Sequence, residues 1–584
     1  MYSFQELKRA AKAPPAGTAY RLAVLGNSAT QMLSTAIKGY GALRGIPLKV
    51  LDVDYNQIDQ QLLDPQSETY RFAPNGVLLY LASEKLYEEF MDMLSSQRPR
   101  FAELYRDKLL RYWELIDRHC GCDILQFGFV EIEDRAFGNY SCKVETSFTY
   151  QMRKLGYLMQ EEESRHGNIY PVDLSAIQNR IGRGAFFSRH MYYASKLTIA
   201  IPALPEVAKQ VVDIIRARQG KGMKCIVLDL DNTLWGGVIG DDGMGGIEIG
   251  ELGRGHVFTN FQRWLKQLKE RGLLLAVCSK NDDCTAREPF EKHPEMVLRL
   301  EDISLFVANW EDKASNIAHI QKALNLGMDS FVFLDDNAFE RNLVRSLLPE
   351  VTVPELPEDP AQYLDFLQRE NLFEAASFSE EDSQRTKQYR AEFARQTSRQ
   401  QFATIDEYLR GLMMVGSARP FDELHYARIA QLTQRSNQFN LRTVRYTEEE
   451  IARIAKSEEY VTRYFTLQDK FGDHGLVSVV ILKRENPETA SIDTWLMSCR
   501  VLKRGMEEFV VNGLVTAAKE AGIQILKGEY IPTKKNAMVE HLYVDMGFTP
   551  VGENQYILTC EGYQPKHTYI IEAGSEKNEQ GNML

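Results

Sequence analysis

The chain has 584 residues, long enough for several domains. Its 44% hydrophobic and 26% charged content describes ordinary soluble globular protein with material for real cores. A formal net charge of −12 argues against a nucleic-acid binder, which carries a basic footprint.

No stretch approaches membrane-span length, and Met1 to Gly17 has no long apolar run, so a cytoplasmic protein without membrane partners is expected. Eight Cys in so long a chain make no disulfide framework. In chain order, Arg21 to Leu25 reads as a short strand running into Gly26-Asn27-Ser28, with a helix from Thr30 to Tyr40. Strands follow at Leu48 to Val53, Val77 to Leu81 and Ile124 to Phe129, with one long helix from Glu84 to His119. This α/β unit is placed at residues 1–219. Its strand-Gly-Asn-Ser-helix start resembles the first block of SGNH hydrolases, which implies Ser28 as nucleophile. The later blocks are degraded: His166 and His190 lack the upstream Asp of that pattern. The plainer reading makes Ser28 a helix N-cap on a scaffold used for recognition or structure. His119-Cys120-Gly121-Cys122 is half a metal site without the second Cys/His pair that zinc needs.

The next unit carries the chemistry. The apolar run Cys225 to Leu228 ends in Asp229-Leu230-Asp231-Asn232-Thr233, two carboxylates one residue apart at a strand end. Magnesium takes oxygen ligands and keeps some water, so a few carboxylates and a substrate phosphate complete its shell. Leu273 to Cys278 is another apolar strand and ends in Ser279; Lys313 follows Asn309-Trp310-Glu311-Asp312. Phe331 to Leu334 then runs into Asp335-Asp336-Asn337-Ala338-Phe339-Glu340. Acidic and hydroxyl residues at strand ends separated by helices describe a doubly wound parallel sheet with its site at the carboxyl edge.

These four motifs resemble the haloacid dehalogenase (HAD) superfamily. The resemblance implies Asp229 as nucleophile and Asp231 as general acid/base whose backbone carbonyl also binds metal. It implies Ser279 holding a phosphoryl oxygen and Lys313 offsetting charge, with Asp336 as the direct metal ligand of the fourth motif. Thr233, Asp335 and Glu340 stand in supporting positions, Glu340 where many members have Asp. The implied metal set is Asp229, Asp231 and Asp336, and the cofactor Mg2+. Between the motifs there is a Gly-rich, hairpin-like stretch from Trp235 to Gly243 and one helix around Val257 to Arg271, with no room for a cap domain. Trp235 reads equally as a substrate platform or as packing.

Pro354-Glu355-Leu356-Pro357-Glu358-Asp359-Pro360 closes this unit, placed at 220–369, and a charged helical connector is expected over 370–400. In the last unit, 401–572, Glu459 to Thr466, Leu476 to Lys483 and Ser491 to Met497 read as strands and Arg504 to Ala521 as a helix; a polar tail fills 573–584. This unit resembles the GNAT acyltransferase fold, with a pyrophosphate loop of the Arg-x-x-Gly-x-Gly type at Arg500 to Gly505. Lys503 replaces the first loop glycine, and its side chain is expected to crowd the loop or force it from a left-handed conformation, against coenzyme A binding.

The whole is an α/β protein of three domains: an SGNH/flavodoxin-like unit, a capless HAD Rossmann-like parallel sheet and a GNAT-like α+β unit. Asp229 to Gly237, Cys278-Ser279-Lys280-Asn281, Asn437-Gln438-Phe439-Asn440, Phe471-Gly472-Asp473 and Ser498-Cys499-Arg500-Val501 together resemble the FkbH-like proteins. That resemblance implies a HAD domain that takes the glyceryl group of 1,3-bisphosphoglycerate, strips phosphate, and loads glycerate as a thioester on an acyl carrier protein for polyketide and related pathways. The implied partners are that carrier and a phosphorylated small molecule. Acyl transfer needs a thiol. Cys278, beside Ser279, is the first candidate and Cys499 the second. Strand alternation is the objection to Cys278, because it turns Cys278 and Ser279 to opposite faces. A plain magnesium-dependent phosphohydrolase is the alternative.

Overall fold

The computed structural model describes residues 2–378 and 404–573, together with Thr386 and Phe402. Most of the expected connector at 370–400 and the tail after Ala573 lie outside the described residues. The chain forms two compact units, Met1–Arg218 and Gln219–Leu584.

In the first unit five parallel strands take the order β2-β1-β3-β4-β5. They are β1 (Tyr20–Gly26), β2 (Leu48–Asp52), β3 (Gly76–Tyr80), β4 (Asp123–Phe127) and β5 (Ile169–Val172). β1, β3 and β4 are buried almost throughout, so they read as continuous apolar runs, as strands covered on both faces do. The helix expected from Glu84 to His119 is broken into Ser83–Asp92 and Phe101–His119. Met93 leaves the first helix in extended backbone, at φ −73 and ψ 144. The chain restarts through a 3-10 turn at Arg98–Arg100, with Pro99 in the first turn, where its missing N–H is not needed.

The second unit holds two sheets. One has four parallel strands in the order β8-β7-β6-β9: β6 (Cys225–Leu228), β7 (Leu274–Ser279), β8 (Ile303–Ala308) and β9 (Phe331–Leu334). Period-two alternation divides these strands between two cores. Ile226, Leu228, Leu275, Val277, Val332 and Leu334 pack on one face with Phe261 and Leu265. Cys225, Val227, Ala276, Cys278, Phe331 and Phe333 pack on the other with Ile317 and Ile320. All four strands point the same way, which brings their carboxyl ends to one edge.

The other sheet has eight strands in the order β15-β16-β14-β13-β12-β11-β10-β17. These are β10 (Val415–Arg419), β11 (Tyr460–Asp469), β12 (Gly472–Asn486), β13 (Thr489–Met497), β14 (Ile525–Glu529), β15 (Thr549–Gly552), β16 (Gln555–Thr559) and β17 (Ile571–Glu572). β13 and β14 are parallel and pair only at Thr489–Ser491 with Ile525–Lys527, then diverge. The backbone groups exposed by that divergence are taken up by the chain itself. Met497 N donates to Phe439 O at 3.1 Å, Leu441 N to Trp495 O at 3.3 Å, and Ile531 N to Leu441 O at 2.9 Å. Asn536 Nδ2 adds a bond to Asn440 O at 2.9 Å. A buried N–H or C=O left without a partner costs about 1–3 kcal/mol, which is why the gap does not stay open.

Candidate functional site

The loop after β6 sets the geometry. Thr233 N and Leu234 N both donate to Leu230 O, at 3.1 and 2.8 Å, so the chain closes a tight turn directly behind Asp229. Asn232 takes the left-handed conformation this requires, with φ 54. Asp229 therefore stays at the sheet edge, with its N–H donating to Leu334 O of neighbouring β9 at 3.0 Å. β9 ends beside it and contributes Asp335 and Asp336. One ligand oxygen from each of Asp229, Asp335 and Asp336 lies within 4.8 Å of the others. Thr233 Oγ1 accepts from Asp336 N at 3.2 Å, tying the two loops together.

Lys313 opens the helix Lys313–Leu324 behind the Asp312 cap. Its Nζ lies 3.0 Å from Asp229 Oδ1 and 2.5 Å from Asp335 Oδ2, all three side chains being buried. Burial works against the lysine charge, but the two carboxylates outweigh it and hold its pKa above the ordinary lysine value. Burial pushes Asp229 up to about 6, with Asp335 adding to the rise and Lys313 opposing it. Asp336 is likewise pushed up to about 6, first by burial and then by the Asp229 charge. Three carboxylates sharing one ammonium leave an excess of negative charge in a desolvated pocket. A hard divalent cation with oxygen ligands fits that donor set, and zinc does not.

A pH dependence follows with a definite sign. A metal must displace the protons on Asp229 and Asp336, so magnesium affinity falls as pH drops below about 6. The metal-free fold shows the opposite trend. These carboxyls bind protons more tightly folded than unfolded, so their contribution to stability fades as pH rises from about 4 to 6. Magnesium titration calorimetry at pH 5.5 and 7.5, beside thermal unfolding of the metal-free protein, measures both.

The structure places the remaining residues as follows. The Asp231 carboxylate is not one of the three clustered acids: Oδ1 accepts from Trp235 Nε1 and Ile239 N, both at 3.0 Å, and Oδ2 from Asn281 Nδ2 at 2.8 Å. Ser279, at the end of β7, is buried, and its Oγ accepts from Asn281 Nδ2 at 3.2 Å. Lys280 Nζ pairs with Glu340 Oε1 at 2.6 Å. Arg341 Nη1 donates to the carbonyls of Asp335 and Asp336, at 2.8 and 2.6 Å, and so fixes the loop that carries both acids. Arg341 was not named from the sequence, and Lys280 and Asn281 were named only within the Cys278-to-Asn281 motif, without a role. Their one local signal is that each adjoins a motif residue.

One expectation fails here, and one open alternative is decided. Cys278 is fully buried among Val227, Ala276, Leu305 and Ile317, on the face opposite Ser279, and its thiol donates to Lys313 O at 3.7 Å. Burial also pushes that thiol up, so it is an inert core residue and no acyl acceptor. Of the two readings of Trp235, packing holds: it is buried against Phe290 with its indole N–H on Asp231. No domain is inserted between the motifs. The segment after Thr233 holds the short helix Ile239–Asp242 and the long helix Gly253–Glu270, and that after Ser279 holds Asp283–Lys292 and β8. The rim carries strongly exposed Trp310 and Phe339.

In the first unit Ser28 is buried, and its Oγ bonds Thr198 Oγ1 at 3.0 Å, which in turn bonds Tyr80 Oη at 2.7 Å. It meets no histidine: His166 bonds Glu162 O, and His190 is exposed. Nor is it the helix cap, a position held by Thr30. In the last sheet Lys503 does adopt the left-handed conformation, at φ 59, beside Gly505 at φ 80, so the expected distortion does not occur. The Glu507 carboxylate accepts from Lys503 N at 3.2 Å.

Residues 21–216 match the model of the FkbH N-terminal domain. No curated protein matches the chain. Among solved structures, the N-terminal part of the protein BF1531 from Bacteroides fragilis, containing a phosphatase domain complexed with Mg, is 46% identical with a TM-score of 0.62. The match covers 65% of this chain and 100% of that one. The ribosomal-protein-S18-alanine N-acetyltransferase from Escherichia coli matches at 15% identity and a TM-score of 0.20, over 24% of this chain and 91% of that one. A likeness that slight says nothing of activity.

Proposed function

Because the chain belongs to the FkbH-like family, we propose that its HAD-type site is a magnesium-dependent phosphatase serving glyceryl transfer. In this reading 1,3-bisphosphoglycerate loses phosphate, and its glyceryl group is loaded as a thioester on an acyl carrier protein. The observation that carries the phosphatase part is the convergence of Asp229, Asp335 and Asp336 at one sheet edge with Lys313 between two of them. The phosphatase domain of the Bacteroides relative is complexed with Mg, which supports the same ion here. Asp229, Asp335 and Asp336 would hold it, and it would supply positive charge to the phosphoryl oxygens.

The chain's own groups supply the rest. Asp229 is the one carboxylate directly behind β6 and attacks phosphorus; Lys313 offsets the charge that develops on the phosphoryl oxygens. Ser279 offers its hydroxyl to one of those oxygens. Asp231 protonates the leaving oxygen; its three accepted bonds leave one of the four carboxylate lone-pair sites, on Oδ2, to carry that proton. With no inserted domain over it, the site stays open to a bulky substrate.

One observation favours a second reading. Cys278 is buried, so the acid cluster has no neighbouring strand thiol, and the HAD site alone is a plain phosphohydrolase. Two measurements test the proposals. Chelation abolishes phosphate release and magnesium restores it; activity that survives exhaustive chelation overturns the metal assignment. Intact-protein mass spectrometry of candidate carriers incubated with 1,3-bisphosphoglycerate reads the transfer. Phosphate release without any loaded carrier leaves the phosphohydrolase alone standing.

A further inference from the structure

The first unit contains a cavity of about 570 Å³ at the carboxyl ends of β4 and β5. Phe127 ends β4 and Val172 ends β5 in its wall. Open parallel sheets bind their ligands beyond this edge. Another wall is the helix Phe148–Glu163, which contributes Met152, Gly156, Met159 and Glu163 at intervals of three or four residues. That spacing sets them in one stripe along the helix.

Two residues of the stripe are costly for the fold alone. Gly156 sits in mid-helix, where glycine is less favourable than any residue but proline. Neither a left-handed backbone nor a close neighbour requires it, since a Cβ there would meet nothing within 4 Å. What the glycine provides is room in the cavity wall. Glu163 is half-buried, and among the described residues no hydrogen bond or ion pair reaches its carboxylate. Burial alone pushes it up to about 7. It also ends its helix, where the carbonyl dipoles are negative, and the last turn holds no basic residue.

The other charges on the lining have partners. Arg153 donates to Glu131 through Nε at 3.0 Å and Nη2 at 3.4 Å. Asp173 caps the helix Leu174–Ile181 and accepts from Ala176 N at 2.9 Å. Phe127, Phe148, Met152 and Met159 make much of the remaining wall apolar. Apolar walls around one unmatched carboxylate suit a cation that carries apolar surface and oppose an anion.

We propose that this cavity binds a small organic amine, its ammonium group on the Glu163 carboxylate and its apolar body in the space beside Met152, Gly156 and Met159. The ammonium supplies the counter-charge that Glu163 lacks within the chain, so binding relieves a cost the fold otherwise carries. The site lies in the unit that does not hold the acid cluster, and the proposal does not depend on the phosphatase chemistry.

The test is calorimetric titration of the full chain with phenethylamine, with phenethyl alcohol and hydrocinnamate as uncharged and anionic counterparts. At about pH 8 both the amine and Glu163 are charged. Phenethylamine is expected to bind with a millimolar dissociation constant or better, about tenfold more tightly than either counterpart. Glu163→Gln keeps the side-chain shape; it weakens the amine about tenfold and leaves the alcohol unchanged. Gly156→Leu fills the space and abolishes binding of the amine, yet melts no lower than wild type, because leucine favours helix more than glycine does. No binding by wild type, a counterpart that binds as tightly as the amine, or an amine affinity undiminished in either variant overturns the proposal. So does a Gly156→Leu protein that melts below wild type, because the space would then not be open.

Discussion

Asp229→Asn lowers phosphate release by about three orders of magnitude or more while leaving the fold intact. The amide keeps the shape of the side chain and removes both the attacking charge and one of three metal-facing oxygens. What makes the result diagnostic is its stability signature. Asp229 is buried in a cluster with more carboxylates than cations, so its charge is costly there in the absence of metal. The metal-free variant therefore melts no lower than metal-free wild type, and it gains less from added magnesium. Phosphate assays beside thermal unfolding with and without the ion read both. Near-wild-type release from a folded variant removes Asp229 from the chemistry.

Lys313→Gln removes the opposite partner and gives the opposite signature. Lys313 is buried, and its ammonium is shared between Asp229 and Asp335. Without it two buried carboxylates face each other with no cation, and breaking such a network costs about 3–5 kcal/mol. The metal-free variant is expected to melt well below wild type. Magnesium then recovers part of the loss, because the ion supplies the missing positive charge. Phosphate release stays low even at saturating magnesium, since charge on the transferring phosphoryl group is no longer offset. A metal-free variant that melts with wild type shows that the ammonium does not hold the acids together.

The α/β architecture was legible because the parallel strands are covered on both faces. Phe331 to Leu334 and Cys225 to Leu228 are unbroken apolar runs, and acids placed directly after them stand at one edge of the sheet. Local patterning told less about orientation. Cys278 and Ser279 are neighbours in sequence, yet period-two alternation carries one into the core and one to the site, and the strand continues through both. Asp231 shows the same limit, since Trp235, Ile239 and Asn281 claim its carboxylate from three different segments. The entry of Phe439 to Leu441 between β13 and β14 joins segments dozens of residues apart, and long-range pairing leaves no periodic trace in a single chain.

The segment Phe439 to Leu441 is a tethered partner for the parting strands of its own sheet. Any other extended chain entering this gap would need the backbone groups of Trp495, Met497 and Ile531 that this segment already holds. The tethered partner is covalently attached, so its effective concentration is of millimolar order or higher and does not dilute with the protein. Another chain would have to displace three backbone hydrogen bonds and the buried Asn536 contact before making any of its own. Closure of the gap is therefore settled within the chain and does not depend on protein concentration.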